Sequence, residues 1–151
     1  MNGRGTGWVV SQFLVMGTVL AVGLVPPYWP EGWQHTLSII GGALAIGGGV
    51  LALWASRTLG RSFTPFPKPV EAGLVTGGPF AIVRHPVYTG GLVLFVGYSL
   101  HTSLPSLAVT AALAVLWAAK VRVEERFLEA VYPGYAAYCG RVRRRLIPFV
   151  Y

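Results

Sequence analysis

The chain contains no aspartate, a single cysteine, and only 5 acidic residues against 12 lysines and arginines. One cysteine, Cys139, excludes an intrachain disulfide, and its setting near tyrosines is that of an incidental small residue rather than a nucleophile. No strand–GxGxxG–helix unit is present. Gly3-x-Gly5-x-Gly7 is expected to precede any structure and lacks the spacing, so the glycine cradle of soluble nucleotide-binding enzymes is excluded. No His/Cys cluster has metal-ligand spacing, and no metal is expected. Charge of either sign is scarce: 11% of residues, where a soluble domain carries about 25%. With 54% hydrophobic residues and a mean hydropathy of +0.58, the chain is not built to face water all round. Its 151 residues suit one all-α, integral membrane domain.

Four apolar stretches carry that expectation. Residues 8–25 and 37–55 hold no charge and correspond to about 27–29 Å of helix, close to the ~30 Å hydrocarbon core. Residues 87–100 and 104–119 are shorter, about 21 and 24 Å, and suggest a hairpin that extends at its ends or tilts. All 12 basic residues fall on one side: Arg4, then Arg57, Arg61, Lys68 and Arg84, then seven from Lys120 to Arg145. The intervening loops, 26–36 and 101–103, contain none. This positive-inside pattern predicts four transmembrane helices with both termini cytoplasmic. The net charge of +7 then describes a skirt facing anionic lipid, and nucleic acid is not an expected partner. The first run exceeds a signal-peptide core and lacks a clear cleavage site, so it is expected to be retained.

Residues 1–55 form two N-terminal helices in this reading, and 56–151 a ligand-binding module. Ala43, Ala45, Gly47 and Gly49 give the second helix small residues for close approach, with the first helix as the expected neighbour. Residues 56–80 carry four prolines, several glycines and three basic residues, which no helical period survives. Their apolar members, Phe63, Phe66, Leu74, Val75 and Phe80, predict an ordered cap over the cytoplasmic helix ends. Pro86 suits the first turn of the third helix. Ser103, followed by Pro105, is the expected N-cap of the fourth, which continues to about Val131 before Pro133-Gly134 stops it. A last amphipathic piece, residues 135–145, is expected along the surface before the apolar end at 146–151.

The most informative feature is Arg84-His85-Pro86-Val87-Tyr88-Thr89-Gly90 where one apolar helix begins, with Glu124-Glu125 where the next one ends. Two helices joined by a short turn bring these ends to one membrane face. There a basic group, an imidazole, a phenol and two carboxylates converge on one polar ligand. With Gly78-Pro79-Phe80 before it, Tyr135 and Tyr138 after it, and a basic stretch ending in Ile147-Pro148, this order resembles the isoprenylcysteine carboxyl methyltransferase family and, more loosely, the phospholipid methyltransferases. The resemblance covers residues 59–148 and implies S-adenosylmethionine as cofactor, S-adenosylhomocysteine as product, and transfer of a methyl group to a lipophilic or small acceptor at the cytoplasmic face. It further implies Arg84, Glu125 and Arg144 as catalytic residues. His85, Pro86, Tyr88, Gly90, Gly91, Glu124, Glu125, Tyr135 and Tyr138 would bind the cofactor.

Each residue also has a structural reading. Arg84 is equally a positive-inside anchor, and His85 a helix cap. Glu124 and Glu125 have Lys120, Arg122 and Arg126 within i,i+4 reach, although such pairs are worth only ~0.2–0.5 kcal/mol. Adjacent helix positions diverge by about 100°. One acid is therefore expected to face the ligand and the other an arginine, with the resemblance favouring Glu125 as the inward member. Gly90 and Gly91 would leave a groove for ligand against backbone. Tyr135, Tyr138, Arg141 and Arg144 are also plausible interface anchors, and Gly140 and Arg143-Arg144-Arg145 depart from the family pattern. The rival from another class is a four-helix transporter or structural membrane subunit. It is disfavoured because no apolar stretch carries an ionisable residue. A sterol-reductase relative would need more helices than this length provides.

Overall fold

The computed structural model describes residues 3–70 and 72–146, with side chains from Gly5 onward. Ile147-Pro148 and the apolar end beyond Leu146 lie outside the described residues. Among those described, the chain is helical without strands: α1 (Gly3–Gly23), α2 (Glu31–Leu59), α3 (Pro86–Thr102), α4 (Leu104–Val131) and α5 (Tyr135–Arg141), with short 3-10 turns at Gly60–Ser62 and Gly78–Ala81.

Local chemistry accounts for the boundaries. Glu31 lies in the first turn of α2, where a carboxylate opposes the helix dipole, and Gly60 follows its end with φ 51, the left-handed conformation that glycine tolerates. Pro86 opens α3. The Ser103 hydroxyl accepts the Ser106 N–H at 3.3 Å and caps α4. At 28 residues α4 runs about 42 Å, so its last turns project beyond a ~30 Å core.

The protein is an integral membrane protein. Among the described residues three segments are long and apolar enough to cross a bilayer: Gly5–Gly23, Glu31–Ser62 and Leu104–Val131. The fourth expected crossing falls on α3, whose 17 residues reach only about 26 Å.

The neighbour of α2 differs from the expectation. α2 packs along α3, while α1 packs on α4. The contact positions are Gly41, Ala45, Gly48 and Ala52 facing Gly90 and Gly97, not the Ala43 and Gly47 face. A Cβ on Gly90 would lie 2.5 Å from the Ala52 nitrogen, and one on Gly97 would lie 2.5 Å from the Gly41 carbonyl. Gly47 has open space instead. Small residues occur on every side of α2, and backbone-to-backbone approach selects the face bearing Gly41 and Gly48, seven residues apart.

On its other side α3 meets α4 and α1 through a core of Val19, Phe95, Leu113 and Trp117. Tyr98 donates to the Leu20 carbonyl at 2.8 Å and ties α1 to α3. Deeper, the Ser99 hydroxyl lies 3.0 Å from that of Ser106 and 2.9 Å from that of Thr110, a buried polar clasp between α3 and α4.

The C-terminal helix is shorter than expected: α5 ends at Arg141, and residues 142–146 run as a strap back to the start of α3. The Arg84 amide donates to the Arg144 carbonyl at 2.9 Å and the His85 amide to that of Arg145 at 3.0 Å. The Thr89 hydroxyl donates to the Leu146 carbonyl at 2.5 Å. These bonds divert the chain from continuing the helix.

Candidate functional site

The site forms where α3 begins, α4 ends and α5 turns back. Pro86 starts α3 without an amide to satisfy, which leaves Arg84 and His85 just outside the helix, where the strap holds their backbone. Arg84 is buried. Its Nε donates to Glu125 Oε1 at 2.7 Å, and its Nη1 to the Val142 and Arg143 carbonyls at 2.9 and 3.0 Å. Arg145 Nε donates to the second oxygen of Glu125 at 2.8 Å. Glu125 is thus clamped between two arginines, while Arg84 locks α4 to the strap.

Glu124 is placed differently. It lines a cavity of about 530 Å³, within the range of small-molecule sites. Its Oε1 accepts from the Tyr88 hydroxyl at 2.5 Å and lies 3.7 Å from Lys120 Nζ. His85 stands between the acids, Nδ1 at 3.8 Å from Glu124 Oε2 and Nε2 at 3.4 Å from Glu125 Oε1. The expectation that Glu125 is the inward acid is therefore corrected. The helical divergence is as foreseen, but it turns Glu124 to the cavity and Glu125 to the arginines.

Other expected site residues are distributed as follows. Arg84, His85, Tyr88, Gly91, Tyr135 and Tyr138 line the same cavity. Pro86 is buried behind it, shaping the helix start. Gly90 does not border a groove, because α2 fills that space; a Cβ there would also meet the Gly48 carbonyl at 2.7 Å. Gly91 faces the Trp117 ring, which a Cβ would approach to 2.8 Å. The Arg144 side chain is exposed, and this residue contributes its backbone carbonyl to Arg84; the guanidinium that reaches Glu125 belongs to Arg145. The backbone register against residues 84–85 decides between these adjacent arginines.

Sequence reasoning missed three participants. Trp117 lies one and two turns before Lys120 and Glu124 on the same face of α4, and its ring stacks tilted on Tyr88 at 5.2 Å. Lys120, read as a partner on an exposed helix, is fully buried, and Gln12 of α1 accepts its proton at 2.6 Å. A glutamine within the first apolar run was the available signal, because an intramembrane polar residue needs a partner.

The walls are mostly aromatic and aliphatic, and the polar atoms facing them are underused. Among the described residues three buried polar atoms have no hydrogen-bond partner: His85 Nε2, which lies 3.4 Å from Glu125 Oε1 without a hydrogen bond to it, Trp117 Nε1 and the Tyr135 hydroxyl. Buried polar groups are ordinarily satisfied, so these orphans suit a ligand with acceptor groups. Burial pushes the Tyr135 phenol up, with the charge of Glu125 adding to the shift, so it stays a donor. The Tyr138 phenol, raised by burial, donates to the Phe80 carbonyl at 2.7 Å and fixes the cap. Tyr132 does the same for the Val70 carbonyl at 2.8 Å.

Comparison with known proteins agrees with this architecture. The chain is 37% identical over 142 residues to the cobalt-zinc-cadmium resistance protein CzcN of Cupriavidus metallidurans, covering 91% of this chain and 60% of that protein. It is 34% identical over 130 residues to protein-S-isoprenylcysteine O-methyltransferase B of Arabidopsis thaliana, covering 82% of this chain and 66% of the plant protein. The Delta(14)-sterol reductase of Mus musculus is 34% identical over only 89 residues, 56% of this chain and 21% of the reductase. The chain thus spans about three fifths to two thirds of the first two relatives. Residues 36–134 match the phospholipid methyltransferase family, and the chain belongs to this family of membrane proteins, which its isoprenylcysteine methyltransferase relatives share.

Proposed function

We propose that this protein is an S-adenosylmethionine-dependent methyltransferase that binds its donor in the cavity between α3, α4, α5 and the cap and methylates a lipophilic acceptor. The observation that carries the reading is the pairing of one carboxylate having spare acceptor capacity, Glu124, with three unpartnered polar atoms across an apolar cavity. That set fits a ligand that is cationic at one end and rich in acceptors elsewhere. Glu124 suits an ammonium or sulfonium. The Tyr135 O–H and Trp117 N–H suit a carboxylate or ring nitrogen. His85 serves as donor or acceptor according to its tautomer.

The donor, when bound, supplies an electrophilic methyl group on a positively charged sulfur. The chain's own task is positioning and the exclusion of water. Arg84 and Arg145 hold Glu125 and through it the end of α4, so that Glu124 presents a fixed carboxylate. Tyr138 and Tyr132 pin the cap by its carbonyls, and Phe63, Phe66 and Phe80 keep the cavity dry. A carboxylate or thiolate acceptor needs no base. For an amine or thiol, His85 and Glu124 are the groups within reach. In the full proposal α3 completes a fourth crossing, both termini are cytoplasmic, the donor enters from the cytosol, and the acceptor arrives sideways from the bilayer.

Titration calorimetry of the detergent-solubilised protein with S-adenosylmethionine tests this. Saturable binding is expected, weakened about tenfold in Glu124→Gln and severalfold in His85→Ala. Absence of binding by the unmodified protein would remove the assignment.

A further inference from the structure

The α1 side of the cavity carries a polar group that the proposed donor contacts leave unused. Gln12 is only 6% exposed and lines the cavity beside Phe13 and Met16. Its carboxamide has a fixed orientation. Lys120 Nζ lies 2.6 Å from Gln12 Oε1, and an ammonium has protons and no lone pair, so the amide oxygen must face it. Lys120 is in turn held by the Pro65 carbonyl at 2.7 Å and by Glu124 at 3.7 Å. Among the described residues the Gln12 amide nitrogen has no hydrogen-bond partner. Its N–H donors, unlike the three fully enclosed atoms described above, are therefore left over on a side chain that lines the cavity.

We infer that Gln12 is the specificity-determining residue for the acceptor: its amide N–H groups bind a carbonyl or carboxylate oxygen on a lipophilic molecule, and Lys120 is the positioning residue that fixes this orientation. The inference rests on the reading that this cavity holds a lipophilic acceptor, and it adds which atom recognises the acceptor's polar end. Lys120 joins the acceptor end to the cap at Pro65 and to the donor end at Glu124. Gln12 thus sits on a support shared by both halves of the site. Unpaired buried donors select strongly for a matching acceptor, because an apolar or cationic group there leaves them unsatisfied.

Gln12→Glu separates recognition from structure. It keeps an oxygen for Lys120, so a purely structural Gln12 predicts no loss, whereas the inference predicts the loss of the donors. In phosphatidylcholine nanodiscs, binding of radiolabelled oleic acid and of oleylamine, which share one chain, is measured above empty discs. The unmodified protein is expected to bind oleic acid saturably. Gln12→Glu should weaken this at least tenfold without weakening oleylamine, and Gln12→Met should also weaken oleic acid. Undiminished oleic acid binding in Gln12→Glu, equal losses for both probes, or no saturable binding by the unmodified protein would overturn the inference. S-adenosylmethionine titration of the same samples keeps the two readings apart. Gln12→Glu should weaken oleic acid more than it weakens the donor, equal weakening of the two would overturn the inference, and absence of donor binding by the unmodified protein would count against the proposed function alone.

Discussion

The two sides of α3 are built on opposite principles. Toward α2 the seam is backbone on backbone, with Gly90 and Gly97 against Gly48, Ala52 and Gly41 and little side chain between. Toward α1 and α4 the same helix meets aromatic rings, a buried lysine, two glutamates and a cavity. The first side is rigid because backbone meets backbone at these glycines, leaving few rotamers to change. The second is adaptable because its partners are side chains with spare hydrogen-bonding capacity. A fixed seam on one face lets α3 present His85 and Tyr88 from a constant position on the other.

Substitutions can break this contrast. The largest effect is expected from Gly90→Leu, whose Cβ alone would sit within 2.7 Å of two backbone atoms of α2. Overpacking typically costs about 1–3 kcal/mol, and a clash with backbone belongs at or above the top of that range. Thermal unfolding in detergent should show loss of the folded protein. Next comes Arg84→Met, which strips Glu125 and two strap carbonyls of their donor. Breaking a buried pair costs about 3–5 kcal/mol, and Arg145 should hold this case to the lower end. Faster tryptic cleavage within residues 141–145 would report the freed strap. Tyr138→Phe removes one bond to the cap and should cost about 1 kcal/mol, read as a lowered unfolding temperature with the fold intact. The smallest effect is Gly47→Ala, one position from Gly48 but facing open space. It should be neutral or stabilising by up to about 1 kcal/mol. If it destabilised as strongly as Gly90→Leu, the seam would be misassigned.

How much was legible in the sequence depended on how local the cause was. Pro86 at a helix start, Ser103 as a cap and α4 running to Val131 follow from chemistry within a few residues, and each is found where expected. The meeting of His85, Tyr88 and Glu124 followed from hairpin geometry. The rest needed distances that sequence does not carry. Glycines and alanines lie all around α2, so the choice of face and of α3 as neighbour depends on packing. Lys120 looks like a solvent-facing helix residue until its partner, 108 residues away, is known. Arg145 is the arginine whose Nε reaches Glu125 because the strap's register is set by bonds from residues 84, 85 and 89, which sequence does not reveal.

The strap has a consequence for how the protein is made. The amides of Arg84 and His85 find their carbonyls on residues synthesised some sixty positions later. While the ribosome still shelters residues 142–146, the amides of Arg84 and His85 lack their carbonyls and Glu125 lacks its second arginine. The start of α3 and the carboxylate of Glu125 are therefore fully braced only once those residues, which follow all four long helices in the chain, are free to fold back.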